Sequence, residues 1–308
     1  MQQKIVMFGS YVTDLTGTAG RLPTAGETVF ADSFAMGPGG KGSNQAVAAH
    51  RAGADVTLIT KLGRDPFGEA ALAFYRGEGI DTGFVLLDNE KSTGVALICV
   101  DAQSGQNQIV VAPGACINIT EEDIATIRQT VKSAGFLLAQ FEVNMDALAS
   151  VMGIAKAAGV KIVLNPAPAR GLNKEILEIL SMADVLTPNE TEAQAITGVP
   201  VTGEESAKQA AAIMHKWGVG GVVITMGGMG AFVSDGSAAK MIPAYPVKAD
   251  DTTGAGDAFS GALTAALAEG KELFAAAAFG NAAASLAVQK FGTAPALPRR
   301  EEIDRVLR

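Results

Sequence analysis

Seven residues in the last fifth of the chain, Asp251-Thr252-Thr253-Gly254-Ala255-Gly256-Asp257, set two glycines and two carboxylates ahead of a small and apolar stretch, Ala258–Ala268. That stretch reads as a helix, which puts Gly254, Ala255 and Gly256 in its first turn. Backbone N–H groups there lack intrahelical partners, and the helix dipole favours negative charge, so the turn reads as an anion hole. Asp257 sits awkwardly in that picture, because its carboxylate would repel a bound phosphate. A general base for a hydroxyl nucleophile, set beside an anion hole, accounts for both features. The plain alternative is a capped helix, with Thr252 or Thr253 as N-cap and Asp257 as an early-turn acid. Capping leaves the doubled glycines unexplained.

A second run, Gly37-Pro38-Gly39-Gly40-Lys41-Gly42-Ser43-Asn44-Gln45-Ala46, feeds another helix. Gly37, Gly39 and Gly42 match G-x-G-x-x-G, but a dinucleotide fingerprint belongs directly after the first strand, and this run comes well after it. A glycine turn here lets backbone approach a polyhydroxyl ligand, with Lys41 and Asn44 as hydrogen-bonding groups; a tight turn alone is the bland reading. Asn189 and Glu192, three apart, share a helical face that can organise Mg²⁺ and its waters, or form a capping box. Thr225-Met226-Gly227-Gly228-Met229-Gly230 closes a strand as a nucleotide-admitting loop or a hairpin turn. His50 and His215 stand apart with no ligand spacing, and no His/Cys metal cluster or Ser-His-Asp order assembles.

These residues need a frame. Lys4–Ser10, Asp55–Leu62, Phe136–Gln140, Lys161–Leu164, Val185–Thr187 and Gly221–Thr225 read as strands, with two more inside Gly230–Ser234 and Lys240–Pro243. Helical stretches run over Gly40–Ala52, Pro66–Arg76, Met145–Ala158, Lys174–Leu180, Glu190–Thr197 and Glu204–Trp217, and the chain from Gly254 is nearly all helical. Regular alternation from about Ser133 predicts a mostly parallel sheet covered by helices on both faces, an α/β fold. Glu27–Met36, Thr93–Val100 and Gln108–Val111 do not fit that alternation and predict a small second sheet from segments near 12–35 and 90–111. Residues 1–308 are read as one domain. The net charge of −8 excludes a nucleic-acid partner on electrostatic grounds. No apolar stretch reaches the ~20 residues of a membrane span. Met1-Gln2-Gln3-Lys4 leads straight into a strand without a signal-peptide pattern, and only Cys99 and Cys116 are present, which predicts a cytoplasmic protein.

Taken together and in this order, the runs resemble the ribokinase family of carbohydrate kinases, over nearly the whole chain. The resemblance rests on Gly39–Ala46, Asn165-Pro166-Ala167-Pro168-Ala169, Pro188-Asn189-Glu190-Thr191-Glu192 and Asp251–Asp257. It implies a three-layer α/β/α sandwich with a small β lid, a homodimer joined through the lids, and ATP-dependent phosphorylation of a small free sugar. It makes Asp257 the base and the N–H groups of Gly254, Ala255 and Gly256 the anion hole. Asp14, Gly40, Lys41, Gly42, Asn44 and Glu142 fall at its sugar-contact positions, with Val12 beside them. Asn189, Thr225, Gly227, Gly230 and Asn281 match nucleotide contacts, and Glu192 bears on Mg²⁺. Asp251 and Thr253, with carbonyls of Ala287, Lys290 and Gly292, match a K⁺ site, although position 296, often serine, is alanine here.

One departure concerns the sugar. Members of the family acting on ribose usually read Gly-Ser-x-Asn-x-Asp after the first strand; this chain reads Gly9-Ser10-Tyr11-Val12-Thr13-Asp14. Valine cannot hydrogen-bond a sugar hydroxyl, and deoxyribokinase-like relatives also carry an apolar residue there. The expected substrate is therefore ribose or 2-deoxyribose, at the 5-hydroxyl. The rival readings are a sugar- or nucleotide-sensing protein without catalysis, a dehydrogenase resting on Gly37–Gly42 alone, and a kinase of another sugar, a sugar phosphate or a nucleoside.

Overall fold

The computed structural model describes residues 3–308; Met1 and Gln2, where the expectation of no signal-peptide pattern begins, lie outside the described residues. Its strands are Ile5–Phe8 (β1), Val12–Ala19 (β2), Ser33–Gly39 (β3), Val56–Ile59 (β4), Lys61–Gly63 (β5), Leu86–Asp88 (β6), Gly94–Asp101 (β7), Asn107–Ala112 (β8), Phe136–Gln140 (β9), Lys161–Asn165 (β10), Val185–Leu186 (β11), Gly221–Thr225 (β12), Ala231–Ser234 (β13) and Ala239–Ile242 (β14). Its helices are Lys41–Arg51 (α1), Pro66–Glu78 (α2), Glu121–Lys132 (α3), Met145–Ala157 (α4), Lys174–Leu180 (α5), Glu190–Thr197 (α6), Glu204–Lys216 (α7), Ala255–Ala268 (α8), Leu273–Ala287 (α9) and Arg300–Val306 (α10).

The main sheet has the order β14-β13-β12-β11-β10-β9-β1-β4, parallel from β12 to β4 and antiparallel at β13 and β14. Its central strands are apolar runs because both faces are covered. Alternate residues enter different cores: Ile5, Met7, Leu138 and Val223 pack with α1, α8 and α9, whereas Val6, Phe8, Leu137 and Ile224 pack with α4 and α7. The fold is therefore the three-layer α/β/α sandwich expected. The chain runs from β1 to β4 on one side and returns to β9 on the other, so the strand order reverses at β1. A crevice at the carboxyl ends of β1 and β9 follows from that reversal.

A second sheet, β3-β2-β7-β8, stands apart from the first. The expected strand Glu27–Met36 is displaced: pairing begins at Ser33 and runs to Gly39. Glu27 instead closes a local turn, its N–H donating to Thr24 O while its carboxylate accepts from Arg21 and from the Thr24 N–H. β3 is an edge strand, where Pro38 forfeits no ladder bond. The expected single strand Asp55–Leu62 divides after Ile59, and β5 pairs with β6 in a separate two-stranded sheet. Lys61 is the cause: its buried ammonium donates to Asp123 Oδ2 at 2.6 Å and Asn118 O at 2.7 Å and lies 3.3 Å from Asp88 Oδ2. A buried charge needs such partners, and they lie off the main sheet. α3 precedes the region where alternation was expected, although its capping box, Thr120 with Asp123, and its apolar Ile124, Ile127 and Val131 are visible in the sequence.

α1 and α8 meet at backbone contact. A Cβ on Gly261 would stand 2.6 Å from both Ala48 Cβ and Gln45 O. Gly153, within α4, faces open space. Gly261→Ala is expected to destabilise the fold by about 1–3 kcal/mol through overpacking, and Gly153→Ala to stabilise it by up to about 1 kcal/mol through helix propensity. Chemical denaturation of the two variants checks both signs.

Candidate active site

The segments after β1 and β9 supply the first groups. Ser10 Oγ donates a short hydrogen bond to Glu142 Oε2, and the same oxygen accepts from the Lys41 N–H at 2.9 Å. Gly40, at φ 88°, turns the chain from β3 into α1 without a side-chain cap, so Glu142 does the capping across the fold. Ser43 N–H donates to Ser10 O at 2.8 Å. Gly42 lines no chamber of the site; it is buried where a Cβ would strike Gly9 and Ser10 backbone, and its contribution is this close approach.

Three chambers share walls here. The covered chamber, about 480 Å³, lies under the second sheet and is lined by Val12, Asp14, Gly40, Lys41, Asn44 and Glu142 among others, with Thr253, Gly254 and Asp257 at its far wall. The middle chamber, about 200 Å³, joins Lys41 and Asp257 to Gly254, Gly256, Asn189 and Glu192. The far chamber, about 520 Å³, is bounded by Thr225, Gly227, Gly230, Asn281, Ala255 and Gly256, with Asn189 shared. Asp257 and Lys41 are the charged groups common to the covered and middle chambers.

α8 begins without a side-chain cap: Gly254 is the N-cap, at φ 77°. The reading of Thr252 or Thr253 as N-cap is thereby corrected. Ala255 N–H is engaged, weakly, by Thr252 O at 3.3 Å, while Gly254 and Gly256 N–H have no partner among the described residues. Asp257 is buried, and both its oxygens are held: Oδ2 accepts from Asn44 Nδ2 at 3.0 Å and Oδ1 from Gln45 Nε2 at 2.9 Å. Asn44 Oδ1 is buried and unpartnered, an acceptor facing no protein donor. The negative charge of Asp257 raises Lys41 above the usual lysine range against the effect of burial, and Glu142 and Glu192 add to it. Burial, then Glu142 and Asp257, push Asp14 up to about 6. The Asp14 carboxylate lies so near Gly39 that a Cβ there would overlap it.

The other expected residues divide by role. Asn189 and Glu192 do form the capping box, Asn189 Oδ1 accepting from Glu192 N–H at 2.8 Å and Glu192 Oε2 from Asn189 N–H at 2.9 Å. Glu192 Oε1 has no hydrogen-bonding partner among the described residues; burial raises the carboxyl's affinity for its proton. Thr225–Gly230 is a hairpin turn joining β12 to β13 and also a wall of the far chamber. Asn281 Nδ2 donates to Ile242 O and Pro243 O, at 3.0 and 3.2 Å, which fixes that wall. Asp251 lies outside the three chambers. Its carboxylate accepts from Thr253 N–H at 2.9 Å and Gly292 N–H at 3.0 Å, and Asp251 N–H donates to Val288 O at 3.1 Å, which ties this loop to the one carrying Ala287, Lys290 and Gly292. Burial raises the Asp251 carboxyl, but the Thr253 and Gly292 hydrogen bonds outweigh it and hold it below the usual range. No side-chain cation pairs with it among the described residues.

Residues not anticipated also reach the site. Ala96, Ile98, Ile109 and Val111 of the second sheet form the apolar roof of the covered chamber, and Arg170, bonded to Phe141 O at 3.1 Å, stands at its edge. Their signal was period-two alternation in β7 and β8, which does not tell which face covers a ligand. The run Asn165–Ala169 contributes Asn165 to the middle chamber.

Comparison with known proteins places the chain in a family. Residues 2–300 match the pfkB family of carbohydrate kinases. A ribokinase of Staphylococcus aureus (strain COL) is 41% identical across 99% of this chain and 100% of its own. A deoxyribokinase of Salmonella typhi is 33% identical across 98% of both. The structure of Arabidopsis thaliana ribokinase complexed with ribose and ATP superposes with a TM-score of 0.91 at 31% identity, covering 100% of this chain and 99% of that one. The chain belongs to the pfkB family of carbohydrate kinases, and it is accordingly an enzyme, a phosphotransferase whose acceptor is a sugar.

Asp14 supplies the pH test. An ionised carboxylate lining that chamber can accept from ligand hydroxyls, and protonation takes away part of that capacity. With its midpoint at about 6 in the free protein, affinity for the sugar is expected to fall as the pH drops below 6. Calorimetric titration with sugar between pH 5 and 8, limits that bracket the usual physiological range, measures it, and Asp14→Asn should flatten the profile.

Proposed function

We propose that the protein transfers the terminal phosphoryl group of ATP to the 5-hydroxyl of ribose or 2-deoxyribose. The observation that carries this reading is the position of Asp257, an oriented carboxylate on the wall between the covered chamber and the uncapped N-terminus of α8. Sugar in the covered chamber presents its hydroxyl to Asp257, which takes the proton as the oxygen attacks. The free N–H groups of Gly254 and Gly256 stabilise charge on the phosphoryl oxygens, and Lys41 lends a cation where that charge passes. The far chamber takes the nucleoside of ATP. Phosphoryl transfer of this kind depends on position and charge rather than covalent chemistry.

The donor set suits the two cations. Among the described residues no cluster of three or more acidic, histidine or cysteine side chains is placed to hold a metal. Mg²⁺ keeps several waters and suits one or two carboxylates beside nucleotide phosphates; Glu192, whose Oε1 has no partner among the described residues, would hold it. Bound there, it would neutralise phosphate charge. Asp251, its carboxyl held below the usual range and without a side-chain cation among the described residues, would hold K⁺ beside the anion hole, together with Thr253 and the carbonyls of Ala287, Lys290 and Gly292.

Val12 bears on the sugar. It lines the covered chamber as an apolar side chain, so a sugar hydroxyl facing it goes unpaired, at a cost of about 1–3 kcal/mol. That favours 2-deoxyribose, or at least removes the preference for ribose, and among the relatives are both a ribokinase and a deoxyribokinase. A non-catalytic sensor has no use for an oriented Asp257.

The second sheet acts as a lid and as the contact between two copies. Cross-strand register aligns Met36, Leu15, Leu97 and Val110 on the face away from the sugar, with Phe34 in the next row. Phe34 is 69% and Val110 66% exposed, an apolar surface suited to self-association. Two free cysteines and ATP as co-substrate support a cytoplasmic setting.

Asp257→Asn is expected to lower kcat by about 10²–10⁴-fold while calorimetry still records sugar and ATP binding; unchanged turnover refutes the base. For the sugar, kcat/KM with ribose and 2-deoxyribose should be comparable or favour the deoxysugar, and Val12→Asn should shift the ratio toward ribose. A wild-type preference for ribose of about tenfold, equivalent to 1.4 kcal/mol, or more would overturn the assignment. Leu97→Asp should convert a dimer to a monomer in light scattering.

A further inference from the structure

Asp257 is held by two consecutive residues of α1, and the two are not equivalent. Asn44 gives its Nδ2 to Oδ2, but its own Oδ1 is unpartnered and it lines the covered chamber. Its amide is thus shared with whatever fills that chamber. Gln45 has no exposure, and every hydrogen-bonding capacity it uses is internal. Its Nε2 donates to Asp257 Oδ1 at 2.9 Å and to Asn165 Oδ1 at 3.1 Å, and its Oε1 accepts from Gln140 Nε2 at 2.7 Å. Asn165 in turn donates to Thr187 O at 2.7 Å. The chain of neutral amides therefore runs from β9, through α1, to β10 and the end of β11, and terminates on the carboxylate.

We propose that Gln45 is the positioning residue that aims Asp257 at the sugar hydroxyl, independently of whether sugar is bound. The proposal rests on the reading of Asp257 as the base. A neutral donor is suited to this role because it fixes the carboxylate's rotation yet places no full charge against it, whereas an arginine or lysine in contact would weaken its basicity. Gln45 itself cannot turn, because reversing its amide would set its oxygen against Asp257 and Asn165 Oδ1 and its nitrogen against the Gln140 amide. Gly9 belongs to the same device, since a Cβ there would occupy the place of Gln140 Oε1.

The test is steady-state kinetics of the intact chain across pH, with ribose and ATP, for Gln45→Met, Gln45→Glu and Asp257→Asn. Gln45→Met keeps the length of the side chain and removes the donor. It should lower kcat by about 10- to 100-fold through misalignment of the base, with both KM values changed by less than about twofold, as expected when only the transition state is affected. Because a hydrogen bond to the ionised form is lost, the acidic limb of kcat should move to higher pH. Gln45→Glu, nearly isosteric, should move that limb further, since it sets a second carboxylate beside the first. A role in core packing alone would leave the limb where it is. Wild-type kcat with an unmoved limb in Gln45→Met overturns the proposal; should that variant fail to fold, an unmoved limb in Gln45→Glu overturns it. Wild-type turnover in Asp257→Asn sinks the assignment of the base instead, and so separates the two failures.

Discussion

The contact between α1 and α8 governs the rest of the molecule. Asp257, on the first turn of α8, is buried, and a buried carboxylate is stable only with its oxygens satisfied. The donors come from α1, and they reach because Gly261 lets the helices approach to backbone contact. The same approach brings the uncapped start of α8 beside the start of α1, so the proposed anion hole and the proposed sugar chamber become neighbours. Moving the helices apart by the width of one methyl group would separate the carboxylate from its donors and the two chambers from each other.

The main sheet fixes where this meeting occurs. Strand order reverses at β1, and the crevice this opens is filled by Ser10 and Glu142 from the ends of two adjacent strands. Glu142 then caps α1 across the crevice. Each parallel strand further along adds groups at its carboxyl end: Asn165 from β10, Thr187 and Asn189 after β11, Thr225 from β12. The second sheet closes the crevice with the alternation of its strands. Asp14, Ala96 and Val111 lie on one face, over the covered chamber, while half-buried Leu15 and exposed Leu97 and Val110 lie on the other. A shift of register by one residue would exchange chamber face for outer face.

Several alternatives that looked exclusive in the sequence coexist in the fold. Asn189 and Glu192 are a capping box and still line the middle chamber, because capping uses Asn189 Oδ1 and Glu192 Oε2 and leaves Asn189 Nδ2 and Glu192 Oε1. Thr225–Gly230 is a hairpin turn whose glycines also border the far chamber. Other particulars escaped. Lys61 looks like the end of a strand but leaves the main sheet, since its ammonium needs Asp88 and Asp123, far along the chain. Glu27 looks extended but closes a turn onto Thr24. Gln45 and Gln140 carry no local mark of their connection to Asp257.

By itself the sequence determined the alternation of strands and helices from about Ser133, the parallel sheet and the run Asp251–Asp257, because apolar periodicity and glycine placement are local properties; it missed α3 and β6 and read β4 and β5 as one strand. It also raised the question of the sugar at Val12. Tertiary structure decided that α8 starts uncapped at Gly254 and that Thr252 and Thr253 do not cap it. It decided that two amides of α1 hold Asp257, and that the apolar residues of β7 and β8 serve different faces. Those facts depend on distances between residues separated by up to 213 positions, as Asn44 and Asp257 are, and packing rather than local preference sets them.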